Sequence, residues 1–233
     1  MSKNRPRFQG VFVTGTDTGI GKTRVALGLM EALKSQGIQV SGMKPVATGC
    51  YVENGELRSE DAVLLRDHAS WSVDYSLVNP YAFLAPVSPH IAARQTGIEI
   101  CLVSIAQRYA LLQQRSEFVV VEGVGGWEVP LNSEDRVSDL AGILGLPIVL
   151  VVGLRLGCLN HALLTGAAIQ RSGCDLIGWV ANPIDSDFID CEENVATLQT
   201  RIPAPLLGLV PFSHTLDLGT LARSLDLDDW MAV

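Results

Sequence analysis

Residues 13–23 read VTGTDTGIGKT, in which glycine, threonine and one lysine recur at spacings suited to holding an anion. The strict phosphate-loop pattern G-x-x-x-x-G-K-[ST] needs glycine at position 16, where the chain has Thr16, while Gly15 stands one place early. Thr14, Thr16 and Thr18 nevertheless offer hydroxyls, and Gly15, Gly19 and Gly21 permit positive φ. Lys22-Thr23 then opens a helix whose N-terminus adds its own attraction for negative charge. In such a loop the lysine can reach β- and γ-phosphate oxygens and the Thr23 hydroxyl can ligate magnesium. The plain alternative is a glycine-rich turn with an exposed lysine; a strand before it and a helix after it favour the phosphate cradle.

Lysine is scarce in the chain, with four (Lys3, Lys22, Lys34, Lys44) against thirteen arginines. Lys44 sits in MKPVATG, where Pro45 holds it extended at a strand's carboxyl end. A point charge there can bridge a phosphate and an attacking anion; the alternative is a solubilising lysine on an edge strand. Glu122 follows three valines and precedes glycines in VEGVGGW, a placement suited to a Walker-B-like magnesium acid. Asp61, in SEDAVLL, is a second candidate acid, though from the residues alone it reads as a first-turn residue stabilised by the helix dipole. In VVGLRLGCLNHA a glycine loop leads to Asn160 at a helix start, which either caps that helix or marks N–H groups that receive a carboxylate.

Strands must deliver these residues. Apolar, β-branched runs predict strands at 10–15, 38–46, 117–124, 147–153, 175–182 and 206–210, and helical spacing predicts helices at 22–36, 59–69, 100–115, 136–145, 159–172 and 188–200. Continuously apolar strands alternating with helices imply an α/β fold with one parallel sheet covered on both faces. The expected organisation is a single domain over 1–233 with 1–7 as a loose tail. The proline-rich stretch 70–98 reads as an irregular crossover with one short helix, and the acidic end LDLDDWMAV as a helix or a frayed end. Ligands of such sheets bind beyond the carboxyl ends of the strands, where the candidate residues fall.

Composition narrows the classes further. A formal charge of −8 argues against a nucleic-acid surface. No leader pattern or apolar run of membrane-spanning length is present, so a cytoplasmic protein is expected. Five cysteines without a C-x-x-C pair read as reduced and mostly buried, and His68, His90, His161 and His214 lack metal-ligand spacing and read as structural.

With these residues in place the chain resembles the dethiobiotin synthetase family. The similarity runs through GTDTGIGKT at 15–23, KPVATG at 44–49, VNPYAF at 78–83, SPH at 88–90, VEGVGGW at 121–127, VVGLRLGCLNHALLT at 151–165, GWVAN at 178–182 and IPAPLLG at 202–208. The resemblance implies a P-loop NTPase-like fold and a homodimer with the active site at the interface. It implies ATP as co-substrate, Mg2+, carbon dioxide or bicarbonate, and 7,8-diaminononanoate, closed to dethiobiotin through a carbamate and a carbamic-phosphoric anhydride. It makes Lys22 and Lys44 catalytic and assigns magnesium to Thr23, Asp61 and Glu122. Thr18, Gly19, Ile20, Gly21, Lys22, Thr23, Arg24, Asp61, Glu122, Gly123, Val124 and Gly125 would bind ATP, with Asn182, Pro183, Pro211, Phe212 and Ser213 around its base. Thr16, Thr48, Gly157, Cys158, Leu159 and Asn160 would bind the diamine, the last four holding its tail carboxylate across the interface. Two departures from the family pattern are Thr48 where many relatives have serine and Gly19 where some have glutamate. A switch ATPase of the ParA/MinD type would share sheet, loop and acid, but such switches carry a further lysine early in the loop, and residues 13–20 contain none.

Overall fold

In the computed structural model, which describes residues 6–212 and 217–231, the first apolar run forms strand β1 (Gly10–Gly15), buried at every position, and helix α1 (Lys22–Ser35) follows it. Strands β2 (Val40–Met43), β3 (Val46–Thr48), β4 (Tyr51–Glu53) and β5 (Glu56–Arg58) come next, then helices α2 (Glu60–Asp67) and α3 (Tyr75–Val78). A short strand β6 (Tyr81–Phe83) and helices α4 (Pro89–Thr96) and α5 (Leu102–Gln113) lead to β7 (Phe118–Glu122). Helix and strand then alternate as α6 (Val137–Leu144), β8 (Ile148–Leu154), α7 (Cys158–Arg171), β9 (Leu176–Pro183), α8 (Cys191–Gln199), β10 (Leu206–Leu209) and α9 (Leu218–Arg223).

All six strands predicted from the sequence join one parallel sheet in the order β10-β9-β8-β1-β7-β2. The chain crosses from β1 to β2 at one edge and then steps back through β7 and β8 to β10 at the other. Because such crossovers are right-handed, the reversal puts α1 on one face and the later crossover helices on the other. The contacts agree: α1 packs on β7 and β2 with α9 along it, α5 against β7 and α6, and α7 against β8, β9 and α8. Phe12, Phe118 and Trp179 are fully buried in the core between sheet and helices.

Three regions differ from the sequence expectations. The predicted strand 38–46 is broken after Met43, because Pro45 has no N–H to donate and Lys44 leaves the ladder. β3 instead pairs with β6 in a separate two-stranded sheet. The stretch 70–98 holds two helices rather than one, α3 opened by the Asp74 carboxylate and α4 by Pro89 in its first turn. The hairpin β4–β5 was not anticipated; its residues are largely exposed, so no apolar run announces it, and Asn54 (φ 51) and Gly55 (φ 82) make its turn.

Residues 1–5 of the expected tail lie outside the described residues, but Pro6 and Arg7 are tied to the segment around Trp230. Pro6 forms an antiparallel bridge with Met231, Arg7 N–H donates to the Trp230 carbonyl at 2.8 Å, and Phe8 meets the Trp230 ring edge-on at 5.4 Å. The acidic end makes one turn at Asp228–Trp230, which buries Trp230 and leaves both aspartates exposed. The cysteines are all free; Cys50 and Cys158 are buried, Cys174 and Cys191 half-buried and Cys101 exposed, so two of the five are buried rather than most of them. Among the described residues, no helix is long and apolar enough to cross a membrane.

Candidate active site

Beyond the carboxyl ends of β1, β2 and β7 lies a cavity of about 770 Å³. Thr18, Gly19, Gly21, Lys22 and Thr23 line it from the loop after β1, Lys44 and Thr48 from the break after β2, Asp61 from the first turn of α2, and Glu122, Val124 and Gly125 from the end of β7. The loop is shaped by its glycines. Gly19 (φ 72) and Gly21 (φ 87) are left-handed, and a Cβ on Gly21 would fall on the Asn182 amide. Gly15, by contrast, belongs to the strand and is required by space, since a Cβ there would lie 2.5 Å from Ile20 Cδ1. That contact explains the displaced first glycine of the motif: it makes room for Ile20 and the Lys22 stem.

At the mouth of α1, Lys22 Nζ donates to the Asp17 carbonyl at 2.6 Å. Lys44 Nζ donates to Glu122 Oε1 at 2.5 Å and to the Gly123 carbonyl at 3.1 Å, and pairs with Asp61 Oδ2 at 2.9 Å. The Thr23 hydroxyl donates to the same Glu122 oxygen at 2.9 Å. Burial, joined by the charge on Lys44, lowers the Lys22 ammonium to about 8. Burial acts against Lys44 too, but Glu122 and Asp61 outweigh it and hold that ammonium above its usual range. Burial likewise opposes charge on Asp61, yet Lys44 prevails and lowers its carboxyl, whereas the fully enclosed Glu122 is pushed up by burial despite Lys44.

Magnesium fits the donors present. Glu122 Oε2 is buried with no protein partner, and the Thr23 hydroxyl and Asp61 carboxylate adjoin the same glutamate and lysine. These are hard oxygen donors, and two carboxylates plus a hydroxyl leave positions for phosphate oxygens and water, as Mg2+ prefers. Among the described residues, no group of three or more histidine, cysteine, aspartate or glutamate side chains could hold a metal by itself.

The other expected site residues fall into two places. Asn182, at the end of β9, donates its amide to the Ile20 carbonyl at 2.7 Å and keeps a buried, unpartnered Oδ1, while Arg24 Nη2 donates to the Pro211 carbonyl at 3.2 Å. Pro183 and Phe212 adjoin these two residues in the chain; Ser213 and His214 lie outside the described residues. Gly157, Cys158, Leu159 and Asn160 do not line the cavity. Gly157 (φ 94), not Asn160, precedes the first residue of α7, so the capping alternative for Asn160 is set aside; Cys158 is buried and Asn160 exposed. Arg155 Nη2 pairs with Asp17 Oδ2 at 2.5 Å, tying this loop to the phosphate loop. Thr14 is enclosed in β1 and Thr16 donates its N–H to the Val151 carbonyl at 3.1 Å, so of the three loop threonines only Thr18 lines the cavity. The cavity wall of Pro86, Val87, Ser88 and Pro89 was missed from sequence, because it carries no charge and its one signal was the short SPH block. None of His68, His90 and His161 lines the cavity.

A family model described as an AAA domain matches residues 9–219. The chain is 48% identical over 218 residues to an ATP-dependent dethiobiotin synthetase BioD of Pseudomonas paraeruginosa, covering 93% of this chain and 95% of that protein. It is 47% identical over 219 residues to the BioD of Nitrosospira multiformis, covering 94% and 95%, and 46% identical over 216 residues to that of Xanthomonas axonopodis pv. citri, covering 93% and 96%. Among solved structures, the MinD cell division protein of Aquifex aeolicus superposes with a TM-score of 0.56 at 14% identity, covering 94% of this chain and 88% of that one. A ParA family ATPase from Chlorobium tepidum gives 0.54 at 15%, covering 98% and 93%. At those identities the switch ATPases share the P-loop NTPase fold alone. Sequence identity over nearly the whole length decides between the two readings, and the chain belongs to the ATP-dependent dethiobiotin synthetases, ligases of biotin biosynthesis.

Proposed function

We propose that the chain closes 7,8-diaminononanoate with carbon dioxide to dethiobiotin through two covalent intermediates. One amine of the substrate attacks carbon dioxide, forming an N–C bond and releasing a proton to give a carbamate. A carbamate oxygen attacks the γ-phosphorus of ATP, the bond to the β-phosphate oxygen breaks, and ADP leaves. The second amine then attacks the carbonyl carbon of the carbamic-phosphoric anhydride, the C–O bond to phosphate breaks, and the ring closes with loss of a proton.

The observation that carries this reading is the meeting of Lys22 and Lys44, from separate elements, at one cavity; they are only 6% and 4% exposed. Phosphoryl transfer asks a protein mainly for position and positive charge. In this reading Lys22 neutralises the γ-phosphoryl group, and Lys44 neutralises both it and the attacking carbamate. Thr48, a half-buried hydroxyl on the same wall, hydrogen-bonds the carbamate or diamine. Thr23, Asp61 and Glu122 would hold Mg2+, which would supply charge neutralisation at the phosphates. The unpartnered Asn182 Oδ1 is an acceptor suited to an amino group on the nucleotide base. Gly157 and Asn160, exposed at the start of α7, are placed to receive the substrate's tail carboxylate across a homodimer interface.

The test is incorporation of label from bicarbonate into product with ATP, magnesium and the diamine. Stoichiometric incorporation with ADP release supports the reading. ATP hydrolysis without incorporation, stimulated by a protein or DNA partner, would favour a switch.

A further inference from the structure

Lys44 belongs to no strand. β2 ends one residue before it, Pro45 after it lacks an N–H, and β3 is part of another sheet. A buried peptide must find its partners elsewhere, and both come from one short segment. Its N–H donates to the Val78 carbonyl at 2.8 Å, and its carbonyl accepts from the Asn79 amide at 2.7 Å. Asn79 is itself buried, and its Oδ1 accepts the Tyr75 hydroxyl at 3.0 Å. That hydroxyl accepts the N–H of Ser59 at 2.8 Å. Ser59 is the N-cap of α2, two residues before Asp61, whose carboxylate returns to Lys44 Nζ at 2.9 Å. The Tyr75 ring is held in turn under the Arg58 guanidinium, 4.2 Å from its centroid.

The hydrogen bonds therefore form a closed circuit from the Lys44 backbone, through Asn79, Tyr75 and the start of α2, back to the Lys44 ammonium. We propose that Tyr75 and Asn79 are positioning residues for phosphoryl transfer, fixing the Lys44 backbone and the Asp61 helix relative to one another. The proposal rests on the role given to Lys44 above. Neither residue lines the cavity, so both act through Lys44 and Asp61. Two further bonds hold Asn79 itself: its N–H donates to the Tyr75 carbonyl at 2.8 Å, and its amide also reaches the Tyr81 carbonyl at 3.3 Å. Lys44 is thus fixed through a side chain that is itself fixed, and reaction geometry is unforgiving, since about 1 Å of misplacement can cost about 100-fold in rate.

Two substitutions separate the halves of the circuit. Tyr75→Phe keeps the ring and its arginine contact but removes the hydroxyl; Asn79→Asp keeps the acceptor for Tyr75 but sets a carboxylate against the Lys44 carbonyl. Both are assayed as the full chain beside Lys44→Ala, with kcat, KM for diamine and ATP, the Kd of a non-hydrolysable ATP analogue, and the thermal midpoint. The expected result is a kcat loss of about tenfold in Tyr75→Phe and more in Asn79→Asp, with analogue Kd unchanged. Combining the two should cost less than the product of the single losses, because they break one circuit. A merely structural role would lower analogue affinity and thermal midpoint in step with kcat, and that pattern overturns the proposal. If Asn79→Asp does not fold, Tyr75→Phe decides. Normal kcat in both folded variants beside an inactive Lys44→Ala refutes the positioning role alone; an active Lys44→Ala refutes the reading beneath it as well.

Discussion

At the carboxyl ends of β1, β2 and β7, Lys22, Lys44 and Glu122 are at most 6% exposed and are held by one another and by the backbone. At the start of α7, Leu156 is 91% exposed, and Gly157 and Asn160 are exposed and outside the lining of the cavity at those strand ends. The first region carries its own enclosure: a glycine-shaped loop, a broken strand and a buried acid bring charge together before any ligand arrives. The second is open surface beside a left-handed glycine. The contrast teaches that one polypeptide encloses the first region by itself, whereas in the proposed homodimer a second copy would cover the other.

The sharpest way to break this comparison is at the enclosed end. Lys44→Ala should lower kcat by about 10²- to 10³-fold, the loss typical of one charge-stabilising donor, with ATP-analogue affinity retained. Turnover near the wild-type level, measured by bicarbonate incorporation, would show that the buried cluster is not catalytic. Gly21→Ala comes next, because a left-handed position costs an alanine about 1–2 kcal/mol and its methyl would displace the Asn182 amide. Calorimetric ATP affinity should fall about tenfold or more, and an unchanged value would mean that the loop does not hold the nucleotide.

At the open end, Leu156→Asp should leave the thermal midpoint within the range of a surface change, about 0.5 kcal/mol, while raising KM for the diamine and weakening self-association in sedimentation. If assembly and KM are both untouched, no second copy completes that end. The smallest effect is expected at Asp74, which caps α3 through the Ser76 N–H at 2.9 Å. Asp74→Ala should cost about 1 kcal/mol in chemical denaturation at neutral pH. The Ser76 N–H and hydroxyl hold the Asp74 carboxyl below its usual range. The stabilisation is therefore present above the unfolded value of about 3.9 and lost as pH falls through the folded one, so the cost of the substitution should shrink on acidification.

The sheet was legible because its central strands are apolar runs buried on both faces, as in β1, β7 and β8. Lys22, Lys44 and Glu122 were legible because a charge at the end of such a run has few innocent explanations. Asp61 was not, since a carboxylate in a helix's first turn reads as a partner of the dipole; only the family resemblance singled it out, and only the fold brings it to Lys44. The Tyr75–Asn79 circuit left no trace that residue types could carry, because its work is done by one hydroxyl, one amide and backbone groups whose meeting depends on the chain leaving the sheet at Pro45. The neutral cavity wall at 86–89 escaped for the same reason.

The bridge between Pro6 and Met231 has an engineering consequence. Trp230 stacks on Phe118 at the amino-terminal end of β7, with Phe8 tilted against the same ring, whereas Glu122 meets the phosphate loop at its carboxyl end. A peptide linker joining Pro6 to Met231 would run far from the chemistry, and new ends opened at the exposed Asn54-Gly55 turn would interrupt a two-stranded hairpin without cutting the main sheet. The enzyme is in that sense a natural candidate for circular permutation.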